Sequence, residues 1–522
     1  MSKNRRHGAQ RTVQTDQLRS WLIFIGVAVA LGALVWAAVP LLSRQSFFGG
    51  STVQSNSAVT VGLTNVPKTL DIRTTDDAGL NRALIGNVYE TLLSRDEENQ
   101  PTAGLASTWK TSEDGLTLTF TLRSDLRFSN GHTLDASDVV WSLQQAIQNK
   151  WPGAETGFSS LESVVNPDET TVTITLSQPD ASLTRTLSSR LGIVYDSEAH
   201  VDYQSAAAGS GPFTIKEFTP GSKIVLTSSR DSGAKTGTIT LSNFADDTAL
   251  LKAARAGDVD LAVPSDPASA AEAKNDPSVK VSEGVSTSKV ALLYNNDTNS
   301  ILSDIQVRQA LRVILDKSAL ADGRADVAQS SEGKPITLGG PIGPLEPGYE
   351  DLTDLFPLDV AKGQRMLNYF AVNYLGTFKL IAPESYQSLA QAIADQLSNA
   401  GLSVQMEALN DEELNNRKES RDFNLLVTVL DGTTSTASYA NPDSLTRYNS
   451  ADAQQQYADA LKATTDDAYQ NALKTYARTV SNDAASDWLY VRKASVVAST
   501  KLSGYSAQMA DERLLLKDVA KQ

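Results

Sequence analysis

A strand–helix–strand pattern in the C-terminal half constrains the fold of this chain more than any other feature. Residues 378–409, "FKLIAPESYQSLAQAIADQLSNAGLSVQMEAL", read as an apolar strand, a helix that ends before Gly401 and a strand with alternating side chains. Two strands joined by one helix pair in parallel through a right-handed crossover. Residues 238–263, "TITLSNFADDTALLKAARAGDVDLAV", repeat this order. The sequence therefore predicts an α/β protein.

An antiparallel hairpin adds a second kind of sheet. Residues 116–123 alternate strictly between apolar and polar side chains, which is the pattern of a half-buried strand. Asp114–Gly115 and Asn130–Gly131 supply residues that tolerate the positive φ of tight turns. Because 522 residues exceed one ordinary core, we expect at least two lobes, with ligands bound between domains or at strand ends.

Two local patterns predict helix positions. Residues 303–320, "SDIQVRQALRVILDKSAL", carry apolar residues at helical spacing, with Ser303 and Gln306 spaced as a capping box. Asp135 is expected to cap a helix that buries apolar residues up to Ile147, with Asp138 near the positive helix end. A contact of Asp135 with a ligand is the alternative to this structural role.

The segment Trp21 to Leu42 contains 22 residues without a charge, and as a helix it would rise about 33 Å, enough to cross a bilayer. This length favours a retained membrane anchor over a cleavable signal peptide or a buried core helix. The preceding residues 1–20 carry an excess of basic residues, which predicts a cytoplasmic tail. Residues 43–57, rich in Ser and Gly, predict a flexible stalk. The remainder is then extracytoplasmic, on a single-pass protein of the cell membrane.

Charge and cysteine content exclude several partners. The chain carries a net charge of −15, and it becomes more acidic once the basic N-terminal residues are set aside. Such a surface repels nucleic acid and anionic lipid. The chain has no cysteine, so disulfides, thiolate metal sites and a lipid-modified cysteine are excluded.

Enzymatic signatures are sparse. Of the three histidines, His132 lies in a turn and His200 in a linker, and a surface or turn role is favoured for both over catalysis. Neither a nucleophile elbow nor a phosphate-binding loop motif occurs. Ser107 to Lys110 forms an S-x-x-K and Lys235 to Gly237 a K-T-G, as in penicillin-interacting serine enzymes, but the S-x-N element between them is absent. The sequence predicts neither a cofactor nor a metal site.

One long run carries a family resemblance. Residues 104–143, "GLASTWKTSEDGLTLTFTLRSDLRFSNGHTLDASDVVWSL", combine a Leu-Ala-x-x-Trp strand, an Asp-Gly turn, a "FTLR" strand, a Phe-x-x-Gly turn and a helix that opens "ASDVVWSL". This run resembles the segment shared by solute-binding proteins of the peptide and nickel type (family 5), which deliver ligands to ABC importers.

Further blocks agree with this resemblance and follow the family's order over nearly all of the chain beyond the stalk. Ile72 stands where proline is common in the family. The blocks are "VTVGLTNVPKTLDI", "NVYETLLSRD", "GSGPFTIKEFTPGSKIVLTSS", "DIQVRQALRVILDKSAL" and "DWLYVRKASVVASTKLSGYS".

The resemblance implies a two-lobed α/β fold like that of periplasmic binding proteins (class II, cluster C type), with an extra subdomain. Lobe I is expected over residues 58–285, with the subdomain at 79–200, and is completed by 487–522. Lobe II is expected over 286–486. The lobes would close by a hinge around a peptide or other small solute, and the partners would be the solute and the ABC permease, with the protein a monomer.

Three candidate ligand-binding residues follow from the resemblance. Peptide-binding members hold the ligand's amino group with a buried aspartate, and Asp431 lies where that aspartate would fall. Asn441 and Asp443 are further candidates in the same loop. The chain departs from the family here, because Thr428 stands near the place of the usual aromatic residue and the loop before Asn441 is longer. A cap or a solvent-exposed acid is the alternative role for Asp431.

Two functional alternatives remain open from the sequence. The fold could serve a signalling or adhesion role without transport, or the chain could be a penicillin-interacting serine enzyme. The ligand class is also open among peptides, metal chelates and sugars, because one fold accommodates many ligands. The Pro/Gly-rich stretch at residues 333–352 is expected to run near the cleft.

Overall fold

The computed structural model describes residues 58–229, 232–369, 375–508 and 513–522, which belong to one compact unit. The sequence-predicted basic tail (1–20), membrane anchor (21–42) and stalk (43–57) lie outside the described residues. Within the described ranges, none of the helices combines the length and the hydropathy that a bilayer crossing requires.

Strands and helices alternate along most of the described chain. In chain order the strands are β1 (Ala58–Leu63), β2 (Leu93–Arg95), β3 (Pro101–Ala103), β4 (Ala106–Thr111), β5 (Thr117–Leu122), β6 (Leu161–Asp168), β7 (Thr171–Leu176), β8 (Phe213–Thr219), β9 (Lys223–Ser228), β10 (Thr238–Asn243), β11 (Leu261–Ala262), β12 (Val279–Tyr294), β13 (Thr377–Pro383), β14 (Ser403–Leu409), β15 (Leu425–Asp431), β16 (Ser486–Ser499), β17 (Leu502–Ser503) and β18 (Ala520–Lys521). The helices are α1 (Ala78–Leu84), α2 (Ala136–Gln148), α3 (Ala154–Gly157), α4 (Leu183–Leu187), α5 (Asp247–Ala256), α6 (Ile305–Ile314), α7 (Lys317–Ala321), α8 (Val360–Tyr369), α9 (Gln387–Asn399), α10 (Asp411–Ser420), α11 (Gly432–Ala437), α12 (Ala451–Leu461) and α13 (Asp466–Asn482).

A mixed sheet of ten described strands runs in the spatial order β14-β13-β15-β12-β16-β11-β1-β10-β9-β8. Strands β13 and β14, which flank helix α9 in the sequence, pair in parallel. Strand β1 lies between β10 and β11 and is parallel to both. Both predicted strand–helix–strand units are therefore confirmed.

Two long antiparallel strands, β12 and β16, lie in the middle of this sheet. Their pairing extends from Val279 opposite Ser499 to Leu293 opposite Ser486, with a register shift between Val285 and Lys289. We call the part on the β11 side lobe I (described residues 58–278 and 500–522) and the part on the β15 side lobe II (described residues 295–485). The two strands therefore link the lobes.

Each lobe has its own hydrophobic core. The core of lobe I collects residues from both the large sheet and the hairpin-bearing subdomain, together with the C-terminal segment. In lobe II, Val290 and Leu292 belong to one cluster, whereas Ala291 and Leu293 belong to another. Successive residues of a strand point to opposite faces, so the sheet of lobe II is buried on both faces at β12.

The predicted hairpin lies in a four-stranded antiparallel sheet of order β4-β5-β7-β6. Leu118, Phe120 and Leu122 are buried, and Gly115 and Gly131 have φ of +72° and +95°. The alternation and the turn residues are thus confirmed. Helix α2 packs against β6 and β7 of this sheet.

The caps of two helices test the local predictions. Asp135 caps α2 in a reciprocal capping box with Asp138, as the sequence indicates. The helix buries Val139 and Leu143, but Ile147, in the last turn of α2, is 38% exposed. The expected burial of Ile147 was therefore wrong.

The stretch at 303–320 does not form one helix. It divides into α6 and α7, with Asp316 capping α7 through the backbone N–H of Ala319. Helix α6 begins at Ile305, and its cap is Asp304, which accepts a hydrogen bond from the N–H of Gln306. The predicted Ser303–Gln306 capping box was wrong because the neighbouring aspartate takes the cap position, where Asp is at least as effective as Ser.

Candidate binding cleft

A cavity of about 800 Å³ lies between lobe I and lobe II, above the two linking strands. Its walls come from α1, α3 and α4 of lobe I and from the end of β15, α11, α12 and α13 of lobe II. A concave site of this size between two domains, with few convergent polar groups, is typical of a small-molecule or peptide site.

A β-bulge shapes the floor of the cleft. Ser286, Thr287 and Ser288 fall in the register shift of β12, where the chain leaves the ladder with β16. The Ser286 hydroxyl donates to the carbonyl oxygen of Arg492 at 2.7 Å and accepts from the N–H of Ser288 at 3.2 Å. Bulges re-aim side chains next to binding sites, and here the three residues line the cavity.

Asp431 lies on the lobe II wall of this cavity. It is the last residue of β15, stands opposite Ser288 in the register with β12, and accepts a hydrogen bond from the Ser288 hydroxyl. Asp431 also occupies the residue before α11, yet its side chain makes no capping bond to that helix. Its carboxylate is therefore directed to the cleft rather than used as a helix cap.

Asn441 and Asp443 lie elsewhere. They form a turn in which the Asn441 side chain accepts from the N–H of Asp443 at 2.9 Å, and Asp443 pairs with Arg447 at 2.6 Å. Both residues are exposed, and neither lines the cavity. Of the three sequence-predicted site residues, the structure brings only Asp431 into the cleft.

Arg190 contributes positive charge to the lobe I wall. It is 8% exposed, and its guanidinium donates to the carbonyl oxygens of Ile72, at 3.1 Å, and of Pro152. Asp76, which also lines the cavity, lies 3.7 Å from the Nε of Arg190. The carbonyl partners fix the direction of the guanidinium.

A second set of charges lies on the floor. Arg492 in β16 donates to Asp266 of lobe I at 3.3 Å and lies 3.6 Å from Asp326 of lobe II. Its neighbour Lys493 pairs with Glu283 at 2.5 Å. Burial alone would raise the pKa of the Glu283 carboxyl, but its hydrogen bonds with Lys493 and Lys274 outweigh burial and hold that pKa below its usual value.

Two tyrosines from α12 and α13 complete the lobe II wall. Tyr457 lies with its ring centroid 5.1 Å from that of Tyr476, and Tyr469 is buried. Burial, together with the charge of Asp180, raises the pKa of Tyr457 to about 12. Its phenol therefore stays neutral at physiological pH, and the residue lines the cleft.

The residues that suggested a penicillin-type enzyme do not converge. Ser107 and Lys110 lie on the same strand, β4, where three residues span about 10 Å. The Ser107 hydroxyl donates to the carbonyl oxygen of Thr121, and Lys235 pairs with Asp518. The structure therefore shows no serine–lysine pair from these motifs.

His132 and His200 also lie outside the cleft lining. His132 lies in the turn that the sequence indicated, and its ring pairs with the buried Asp196 at 2.8 Å. In the part of the chain that the structure describes, no group of three His, Cys, Asp or Glu residues could hold a metal ion.

Sequence reasoning missed Arg190, Arg492 and the bulge at 286–288. One signal was present: the polar run "SEGVSTSK" interrupts a strand whose later half, "VALLY", is apolar. Such an interruption marks a strand that passes a polar cavity. The arginines carry no comparable signal, because their position depends on how the turn after α4, which carries Arg190, and strand β16 pack against other elements.

Comparison with known proteins gives a consistent result. Residues 100–457 match the family described as bacterial extracellular solute-binding proteins, family 5 Middle. A probable di/tripeptide-binding protein of Pseudomonas aeruginosa is 29% identical over 259 residues, which cover 43% of this chain and 49% of that protein. A probable D,D-dipeptide-binding periplasmic protein of Escherichia coli is 25% identical, over 62% of this chain and 64% of that protein. The chain thus matches about half to two thirds of the length of these relatives.

Solved structures share the fold. An ABC transporter substrate-binding protein from Listeria monocytogenes superimposes with a TM-score of 0.78 at 17% identity, over 89% of this chain and 99% of that one. At this identity the likeness concerns the fold, and it supports a two-lobed α/β architecture of the periplasmic-binding-protein type.

Proposed function

Because the chain belongs to the bacterial extracellular solute-binding proteins of family 5, we propose that it captures peptides or similar small solutes in the interlobe cleft and delivers them to an ABC importer. The family is one of extracytoplasmic binding proteins rather than catalysts. The observation that carries the proposal is Asp431, a carboxylate on the wall of an interlobe cavity of about 800 Å³.

The charges of the cleft suit a ligand that is extended and zwitterionic. Asp431 on lobe II can accept the ammonium group of a peptide, and Arg190 on lobe I supplies positive charge for a carboxylate or a carbonyl oxygen. Between them, the bulge at 286–288 adds hydroxyl groups, and Tyr457 adds an aromatic surface. Such a division lets each lobe bind one part of the solute, so that the ligand favours the closed arrangement.

Two arguments support this role over the alternatives. A redeployed signalling or adhesion subunit has no need of a cavity lined by polar groups between its lobes, and this cleft keeps such a cavity. A penicillin-interacting enzyme needs a serine beside a lysine, which the placement of Ser107 and Lys110 on one strand disfavours.

The proposal extends to the organisation of the chain. With the linking strands divided between the lobes, lobe I comprises residues 58–285, with a subdomain at 79–200, and residues 487–522, and lobe II comprises 286–486. The separate hydrophobic cores support two lobes, and the residues Trp488 to Val491 pack with the cores of lobe II. The protein acts as a monomer. Residues 21–42 hold it in the membrane, a point that rests on their uncharged sequence alone. Recovery of the full chain in the soluble fraction after cell lysis would contradict the anchor.

Native mass spectrometry of the full purified chain tests the function. We expect additional small masses that leave on gentle unfolding and match peptides. A clean protein mass, repeated after incubation with a mixture of di-, tri- and tetrapeptides, would remove peptides as the ligand class.

A further inference from the structure

A buried ion pair lies behind the cleft. Lys289 and Glu346, with side chains 0% and 1% exposed, form a salt bridge. Lys289 is the first residue of β12 that rejoins the ladder with β16 after the bulge. Glu346 belongs to the Pro/Gly-rich stretch, which packs behind the cleft and does not line it. The stretch therefore does not reach the cavity itself, and it contacts the cleft only through residues that it packs against.

Glu346 also contacts the helix that follows Asp431. One of its oxygens accepts the N–H of Gly343 at 2.7 Å, and the other lies 3.3 Å from the hydroxyl of Thr436 in α11. The carbonyl oxygen of Thr436 in turn accepts the hydroxyl of Tyr476 at 2.8 Å. The carboxylate therefore joins three elements: the linking strand β12, the Pro/Gly-rich stretch and the cleft helix α11.

Stability alone does not account for such a pair. Desolvation of two charges offsets most of their attraction, so apolar side chains of similar volume often stabilise a core at least as well. A buried, fully bonded carboxylate instead fixes the relative positions of the groups that it contacts. The groups fixed here are a linking strand and a wall of the cleft.

The residue next to Glu346 is held by the opposite lobe. The side-chain amide of Asn99, in the turn between β2 and β3 of lobe I, donates to the carbonyl oxygen of Leu345 at 2.8 Å. Asn99 is 2% exposed with φ of +62°, and Arg95 and Arg185 donate to its side-chain and backbone oxygens at 3.1 and 2.7 Å. Contacts within lobe I thus orient the side-chain amide of Asn99, which donates to lobe II.

We propose that Glu346 is a positioning residue that couples the cleft helix α11 to lobe closure, with the Asn99–Leu345 hydrogen bond as the interlobe latch. When the lobes separate, the latch breaks, the segment at 345–346 loses its contact with lobe I, and Glu346 transmits that loss to Lys289 in the linking strand and to Thr436 in α11. The effect on ligand binding rests on the proposed function, whereas the coupling between latch and helix does not.

The latch is tested by the distance between two labels. Because the chain lacks cysteine, Ser163→Cys in lobe I and Glu412→Cys in lobe II give a unique spin-labelled pair on exposed positions. Asn99→Asp keeps the size and the tolerance of positive φ but replaces the donor by a charged acceptor. We expect the ratio of open to closed molecules to rise about fivefold or more, the equivalent of one hydrogen bond. Asn471→Asp, on an exposed position of α13, is the matched control. An unchanged distance distribution, or a starting chain with no closed population, overturns the latch.

The coupling is tested by a double-mutant cycle. The first change is Asn99→Asp. The second change, Lys289→Met with Glu346→Leu, removes both charges together and leaves no unpaired buried ion. If Glu346 transmits the effect of breaking the latch, Asn99→Asp speeds hydrogen exchange of the α11 amides in the parent chain. The same substitution causes no further increase in that exchange rate when the charge pair is already replaced. Equal effects of Asn99→Asp in both backgrounds, or no effect on α11 in the parent, overturn the coupling. The measurement on the parent chain can be made even where the charge-free variant fails to fold.

A peptide titration separates this proposal from the proposed function. With trialanine as the probe, the apparent Kd is expected to rise in Asn99→Asp by the factor lost from the closed fraction. A Kd that stays constant while the closed fraction falls overturns the link to binding. No trialanine binding by the parent chain, together with an intact cycle, counts against the peptide function and leaves the coupling supported.

Discussion

The hydroxyl of Ser288 donates a hydrogen bond to the carboxylate of Asp431, and the two residues stand opposite each other where β12 and β15 reach the cleft. Ser288 belongs to the bulge, and Asp431 ends its strand. A neighbouring hydroxyl therefore orients this carboxylate, and no cation among the described residues forms an ion pair with it. An ammonium group of a ligand would neutralise the charge of the Asp431 carboxylate.

This geometry predicts a selective loss in Asp431→Asn. A hydrogen bond to a charged group contributes about 1.5–3 kcal/mol, so we expect the Kd for peptides with a free amino group to rise about tenfold to a hundredfold. The Kd for N-acetylated peptides should stay nearly constant. Isothermal titration of both peptide classes measures the difference.

Asp443→Asn is the matched control for that substitution. It removes the same charge from the exposed turn at 441–447, outside the cavity lining. Equal losses in both variants, or a loss for acetylated peptides as large as for free ones, would contradict a specific ammonium contact at Asp431.

A second prediction concerns the close approach of Gly209 to the chain before β2. A β-carbon at Gly209 would lie 1.9 Å from the carbonyl oxygen of Val88, while Gly211 donates to that same oxygen at 2.9 Å. Gly209→Ala must displace backbone, so we expect it to lower the free energy of unfolding by about 2–3 kcal/mol. Ser210→Ala, in the same turn, should change it little. Denaturant titration decides, and equal stability of both variants would be contrary to the prediction.

The parts of the fold that the sequence predicted are those with a local cause. Strand β5 at 117–122 follows from period-two alternation, the parallel units from strand–helix–strand order, and the cap at Asp135 from its place before an apolar helix. Where two adjacent residues can both cap a helix, as at Ser303 and Asp304, the local pattern does not select between them.

The cleft depended on contacts that no local pattern encodes. Asp431 was indicated by family resemblance, and its place on the cavity wall follows from the register of β15 with β12. Asn441 and Asp443 share the loop but turn away from the cleft after α11. Arg190 faces the cavity because carbonyl oxygens of residues 72 and 152, distant in sequence, hold its guanidinium.

A third prediction tests the cap of α2. Asp135 accepts the N–H of Ser137 at 2.7 Å, and Asp138 returns the bond to the N–H of Asp135 at 3.1 Å. Asp135→Ala should lower the free energy of unfolding by about 1 kcal/mol, whereas Asp135→Asn should be close to neutral because asparagine caps as well as aspartate. Denaturant titration again decides, and equal losses in the two variants would assign the effect to charge rather than capping.

The last prediction concerns pH. Lys317, with a side chain 12% exposed, pairs with the buried Asp487 at 2.6 Å and donates to the carbonyl oxygen of Leu338 at 2.8 Å. Burial lowers its pKa to about 8, against the partly compensating charge of Asp487 and with a further lowering by Arg312. Between this value and the ordinary lysine pKa near 10.4, the unfolded chain binds a proton that the folded chain does not.

The free energy of unfolding therefore rises with pH in that window, since stability increases wherever the unfolded state binds more protons. We expect an increase of about 1–2 kcal/mol from pH 8 to pH 10 from this group, measured by denaturant titration at each pH. Lys317→Met removes the titrating group, so its stability should show a flatter dependence than the parent chain over the same range. Parallel curves for the two proteins would show that Lys317 keeps an ordinary pKa, and that Asp487 holds it protonated in the folded lobe.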